Sequence, residues 1–115
     1  MHVVEGNGRR LLNSPLRQNS DGRFVMDFDD LRKKTSDPSA KMMLLCSPHN
    51  PPGRVWRREE LETLVNICAE RDIIIVSDEI HCDLTYKGIT HIPLPLIKPE
   101  YSEKIITCTA PSKTF

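Results

Sequence analysis

Three strand-like stretches of the 115-residue chain each run into polar side chains able to do chemistry. The run Met42–Cys46 leads to the amide of Asn50, residues 73–77 lead to the carboxylate of Asp78, and residues 104–109 lead to Ser112 and the amine of Lys113. An amine of lowered pKa is a nucleophile, and an amide and a carboxylate beside it supply donors and an acceptor for a polar ligand. Each residue also has an ordinary structural use. A loop lysine is commonly a solvated cation, Asp78 could cap a helix, and Asn50 before Pro51 and Pro52 is a good turn former. His49 and His91 read as loop histidines, and Trp56 as a side chain packing its loop against the helix that follows. His81, Cys82 and Asp83 are neighbours on one turn that would not converge on a single ion, and no second His/Cys cluster completes a tetrahedral set, so no metal site is expected.

The elements that must position these groups are punctuated by proline and polar residues. Residues 2–4 read as extended, 6–8 as a turn and 9–16 as a strand interrupted by Pro15. Asp21-Gly22 supplies the positive φ of a tight turn, which predicts a hairpin with Phe24, Val25 and Met26. A helix follows, capped by Asp27, with Asp29 and Asp30 in its first turn and Lys33 and Lys34 near its last. Met42–Cys46, apolar throughout, predicts a strand buried on both faces, as in parallel sheets covered by helices. Leu61, Leu64, Val65 and Cys68 recur at helical spacing and predict a helix over 58–71, with Arg57 a poor cap. The β-branched run 73–76 is the second buried strand, residues 86–88 suggest a short hairpin or strand end, 92–99 an irregular connector and 104–109 a third strand. Strand, helix, strand, connector, strand is the pattern of a parallel α/β sheet with right-handed crossovers. Ligands of such sheets sit beyond the carboxyl ends of the strands, where Asn50, Asp78 and Lys113 lie.

Composition narrows the function classes. Lysines plus arginines number 16 and aspartates plus glutamates 16, so no field of one sign attracts nucleic acid or an anionic membrane. No apolar run approaches the roughly 18 residues of a spanning helix, and the expectation is a cytoplasmic protein with neither nucleic-acid nor membrane partners. Cys46, Cys68, Cys82 and Cys108 occur singly and are expected to be reduced, mostly buried thiols. The hydrophobic fraction, 38%, makes for a thin core in a chain this short.

The three strand ends carry a resemblance. Ser47-Pro48-His49-Asn50-Pro51-Pro52-Gly53-Arg54-Val55-Trp56, then Ser77-Asp78-Glu79-Ile80-His81-Cys82-Asp83, then Thr109-Ala110-Pro111-Ser112-Lys113-Thr114-Phe115 resemble the pyridoxal-phosphate enzymes of aminotransferase class I/II, fold type I. Within that family the sequence is most similar to the carbon–sulfur lyases of the cystathionine β-lyase (MalY/PatB) subgroup. Order and spacing agree, with Asp78 following Asn50 by 28 residues and Lys113 following Asp78 by 35. The likeness spans essentially the whole chain but only part of a family member. It implies a three-layer α/β/α fold with a mostly parallel sheet, with residues 1–115 a partial cofactor-binding large domain whose amino-terminal segment and small domain are absent.

The resemblance also implies roles. Lys113 would hold pyridoxal phosphate covalently and shuttle the proton at the substrate α-carbon. Asp78 would pair with the pyridinium nitrogen, Asn50 would donate to the ring's phenolic oxygen, Ser112 would contact the phosphate, and His81 would pack against or orient the ring. His81 stands where many aminotransferases have tyrosine, and Ala110 replaces a serine that serves the phosphate in many relatives. The implied activity is β-elimination of a thiol from cystathionine or a cysteine conjugate, giving pyruvate and ammonia, by an enzyme that is a homodimer. Transamination to a 2-oxo acid is the alternative within the fold, and a catalytically inert fragment or interaction module is the alternative outside it.

Overall fold

The computed structural model describes residues 2–113. The chain divides into two compact units, Met1–Ala40 and Lys41–Phe115. In the first unit, residues 2–4 are not extended but belong to a short helix, α1 (His2–Gly6). Its end explains why: Gly8 takes φ 67°, and its N–H and that of Arg9 return to the carbonyls of Glu5 and Val4 at 2.9 and 3.1 Å. A left-handed glycine closing a helix in this way outweighs the extended preference of two adjacent valines. Residues 9–16 form no strand. Proline lacks the N–H a ladder needs, and pairing starts only after Pro15, at β1 (Arg17–Gln18). β1 runs antiparallel to β2 (Phe24–Val25) across a turn whose Gly22 has φ 81°. The Asp27 carboxylate then accepts the Asp30 N–H at 3.0 Å and starts α2 (Phe28–Thr35), as the cap predicts. Lys34 closes a pair with Asp30 one turn away, at 2.6 Å.

The second unit is built on three strands. β3 (Met42–Cys46), β4 (Ile74–Asp78) and β5 (Ile105–Cys108) form one parallel sheet in that order, with β4 central. Between β3 and β4 lies α3 (Arg58–Ala69), which buries Leu61, Leu64, Val65, Ile67 and Cys68. The Arg57 side chain has no acceptor and cannot cap α3; instead the Glu60 carboxylate accepts the Arg57 N–H at 2.9 Å. The helix stops at Ala69, two residues short of expectation, because Asp72 turns left-handed at φ 52° and the Ile73 N–H folds back onto the Cys68 carbonyl at 3.0 Å. Residues 86–88 make a turn at Gly88 rather than a strand. The connector 92–99 holds the 3-10 turn Leu94–Leu96 and leads into Pro99–Lys104, whose Tyr101 hydroxyl donates to the Ile73 carbonyl at 2.8 Å.

Strand alternation sorts the sheet into two faces. Leu45, Ile73, Ile75, Ser77, Glu79 and Ile105 are buried with the apolar stripe of α3 and with Leu94 and Ile97. The opposite face carries the rows Met42–Ile74 and Leu44–Val76–Ile106, and there Met42, Leu44 and Ile106 are 57%, 55% and 51% exposed. The expected burial of these strands on both faces is therefore corrected. An unbroken apolar run reads the same whether one face is covered or two, and nothing in Met42–Cys46 distinguishes them.

Leu64 is fully buried and Leu96 is 63% exposed. Leu64→Ala is expected to lower the unfolding free energy by about 2–5 kcal/mol. Leu96→Ala should change it by less than about 0.5 kcal/mol, both read from urea transitions followed by circular dichroism.

Candidate functional site

The parallel register brings the three strand ends abreast, because Cys46 pairs with Asp78 and Asp78 with Cys108. Pairing continues one step further, with the Ser47 N–H on the Asp78 carbonyl at 2.9 Å and the Glu79 N–H on the Cys108 carbonyl at 2.8 Å. Asn50 and Lys113 lie on the segments leaving this row on either side of the central strand.

The segment after β3 is a tight hairpin. His49 and Arg54 exchange both backbone hydrogen bonds, at 2.7 and 3.2 Å, and enclose Asn50 at the start of a four-residue tip that turns at Gly53, φ 66°. The peptides Ser47–Pro48 and Asn50–Pro51 are cis. Trp56 anchors the hairpin, as expected of it: the indole is 2% exposed and its Nε1 donates to the Cys46 carbonyl at 2.9 Å. The Arg54 guanidinium lies 4.5 Å from the indole centroid and pairs with Glu60 on α3, while the His49 ring packs edge-on at 5.6 Å. Asn50 itself is exposed.

Asp78 is half-buried on the face opposite α3. Its Oδ1 accepts the Ile80 N–H at 3.3 Å, an Asx-type turn rather than a helix cap. That bond leaves Oδ2 without a hydrogen-bond partner among the described residues. His81 follows, half-buried in the turn closed by the Cys82 N–H on the Glu79 carbonyl and the Leu84 N–H on its own carbonyl, both at 2.9 Å. Ser112 and Lys113 are exposed on the 3-10 turn Pro111–Lys113. Asn50, Asp78 and Lys113 thus come to the carboxyl end of one sheet, while Thr114 and Phe115 of the third motif lie outside the described residues.

Two site neighbours escaped sequence reasoning. Glu79 is 2% exposed. Its Oε1 accepts from the Ser77 hydroxyl at 2.9 Å and the Leu94 N–H at 3.0 Å, and its Oε2 meets His91 Nε2 at 2.8 Å. His91 is therefore no solvated loop histidine but the buried partner of a carboxylate, with Nδ1 unpaired among the described residues. The available signal was phase: 73, 75, 77 and 79 share one face, and a carboxylate on a covered face must find donors. The thiols also differ from expectation. Only Cys68 is buried, its thiol pushed up to about 12 by desolvation, whereas Cys46 and Cys82 are half-buried, Cys108 is exposed and all four are free. Cys46 and Cys108 flank Asp78 two strand spacings apart, roughly 9–10 Å, beyond disulfide reach.

Comparison with known proteins decides the family. The sequence pattern of aminotransferase class I and II matches residues 2–115. The chain belongs to that family. It is similar to cystathionine β-lyase PatB of Bacillus subtilis, 47% identical over 114 residues that make up 99% of this chain and 29% of the relative. Among solved structures of the family, it superposes on a putative aminotransferase from Clostridium difficile, crystallised with bound pyridoxal phosphate, with TM-score 0.93 and 45% identity over 98% of this chain and 29% of that one. A pyridoxal-phosphate-bound C-S lyase from Staphylococcus hominis gives TM-score 0.91 and 45% identity over 97% of this chain and 28% of that one. The α/β fold with its parallel sheet is that of the fold type I enzymes of this family, and the chain spans less than a third of the length of these relatives. Among the described residues no helix is long and apolar enough to cross a membrane.

Burial alone would raise the Glu79 carboxyl, but the donors His91, Leu94 N–H and Ser77 outweigh it and hold it below its ordinary value of 4.5. A lowered folded-state pKa contributes stability that is present above the unfolded value and lost as pH falls through the folded one. Wild-type protein should therefore lose more stability than Glu79→Gln below about pH 4.5, a difference read from urea midpoints between neutral and acid pH.

Proposed function

We propose that this chain is part of the cofactor-binding large domain of a pyridoxal-phosphate enzyme acting on amino acids, a carbon–sulfur β-lyase that releases a thiol, pyruvate and ammonia. The observation that carries the reading is the row at the sheet's carboxyl end, where a half-buried carboxylate on the central strand is flanked by the segments bearing an amide and an amine. The donor set fits the cofactor. A carboxylate with an unengaged oxygen suits a protonated ring nitrogen, an exposed amine suits an aldehyde, and an amide and a hydroxyl suit a phenolic oxygen and a phosphate. When bound, pyridoxal phosphate supplies the electron sink for bond breaking at the substrate α-carbon.

The chain's own residues do the rest. Asp78 accepts the ring N–H and keeps that nitrogen protonated. The Lys113 amine would hold the cofactor through its Nζ and, as a free amine, would take the proton from the substrate α-carbon. Asn50, fixed by the hairpin on Trp56, donates from its side-chain amide to the phenolic oxygen. Ser112 donates to the phosphate, and His81 packs against or orients the ring. The 47% identity to a cystathionine β-lyase supports elimination, and the 45% identity to a putative aminotransferase supports transamination as the second reading. Substrate-carboxylate binding falls to a small domain outside residues 1–115, in a homodimeric, cytosolic enzyme.

Pyruvate release from cystathionine without any 2-oxo acid, by the full-length enzyme of which this chain is proposed to be part, is the test. Lys113→Arg and Asp78→Ala are each expected to slow it at least about a hundredfold. Amino transfer to a 2-oxo acid with no thiol released would replace elimination with transamination, and neither reaction would leave an inert chain.

A further inference from the structure

Asp78 and Glu79 are adjacent residues on the end of the central strand, and the alternation of a strand sends them to opposite faces. Glu79 is held on the buried face by three side-chain hydrogen bonds, from Ser77, Leu94 N–H and His91, and its own N–H is held by the Cys108 carbonyl. The peptide joining the two residues is therefore fixed from the Glu79 side. By contrast, among the described residues the Asp78 side chain is held only by the 3.3 Å bond from Ile80 N–H. The same carboxylate closes the excursion 80–93, which carries His81, because Leu94 and His91 lie at its far end. The excursion lacks buried apolar anchors of its own, and Leu84, Tyr86 and Ile89 on it are 57%, 85% and 50% exposed.

We propose that Glu79 is a positioning residue for the cofactor site: its buried hydrogen bonds to Ser77, His91 and Leu94 aim Asp78 out of the opposite face and set the start of the segment bearing His81. The inference rests on the reading of Asp78 as the partner of the cofactor's ring nitrogen. The device depends on geometry. Glutamine reproduces it, since its carbonyl oxygen accepts from Ser77 and Leu94 while its amide donates to His91 Nε2 in the tautomer protonated at Nδ1.

Two measurements on wild type, Glu79→Ala and Glu79→Gln test this together. The first is amide hydrogen exchange. Glu79→Ala should speed exchange about tenfold or more at Leu94, whose N–H bonds the carboxylate, and at Ser47 and residue 79, whose N–H groups pair the ends of the strands at Asp78 and Glu79, and leave Ile73 and Ile74 at the strand's start unchanged. Glu79→Gln should restore wild-type rates. The second is the dissociation constant for pyridoxal phosphate by absorbance titration, expected to rise about tenfold in Glu79→Ala and to stay within about twofold of wild type in Glu79→Gln. Uniformly faster exchange would overturn the proposal, because Glu79 would then serve general stability alone. Unchanged exchange, or unchanged cofactor affinity in a folded Glu79→Ala, would overturn it as well. Wild type that binds no pyridoxal phosphate while the exchange pattern holds would refute the cofactor reading and leave the positioning of the strand end standing. Should Glu79→Ala fail to fold, Ser77→Ala removes one of the three donors and is expected to give the same exchange pattern at about two- to fivefold; its absence would count against the proposal.

Discussion

The parallel pairing of β4 with both of its neighbours is the constraint on which the rest of the site depends. In register, Cys46, Asp78 and Cys108 stand side by side, and the segments leaving β3 and β5 start from fixed points on either side of the carboxylate. A slip of one residue would exchange the two faces of β4. Asp78 would then turn under α3, and Glu79 would lose His91 and Leu94. Hydrophobic burial sets the same register, since Ile73 and Ile75 meet the apolar stripe of α3 only in this phase. Core packing and site geometry thus select one arrangement.

The three site segments are held by different means. Asn50 is carried by a hairpin fixed through the buried indole of Trp56, with Arg54 stacked on it and paired to Glu60. Asp78 is carried by the central strand, backed by the Glu79 cluster. Lys113 stands on a short exposed 3-10 turn beyond β5, the least constrained of the three, which suits the role proposed for its amine.

Much of this was legible in the sequence for identifiable reasons. The β-branched run of β4, the 3.6-residue stripe of α3 and the Asp27 cap are local signals, and each has one dominant physical reading. The strand-end rule located Asn50, Asp78 and Lys113 before any contact was known. What was not legible depends on partners distant in sequence. Met42 and Leu44 are as apolar as a doubly covered strand requires, yet their face is open. Residues 2–4 have extended preferences, yet a left-handed Gly8 closes them into a helix. Glu79 and His91, twelve residues apart, show their pairing only when the excursion between them folds back, although the phase of Glu79 on a covered face already demanded a donor. Cysteine burial failed for a similar reason, because Cys46 and Cys108 sit on the open face beside Asp78.

The central claim, that three strand ends meet around one cofactor, is tested most directly by where pyridoxal phosphate attaches. The protein would be mixed with pyridoxal phosphate and reduced with borohydride, and the pyridoxyl group located by peptide mass spectrometry. Stoichiometric labelling at Lys113 in preference to every other lysine, lost in Asp78→Ala, is the predicted result. Labelling scattered over exposed lysines, or labelling at Lys113 indifferent to Asp78, would contradict the account.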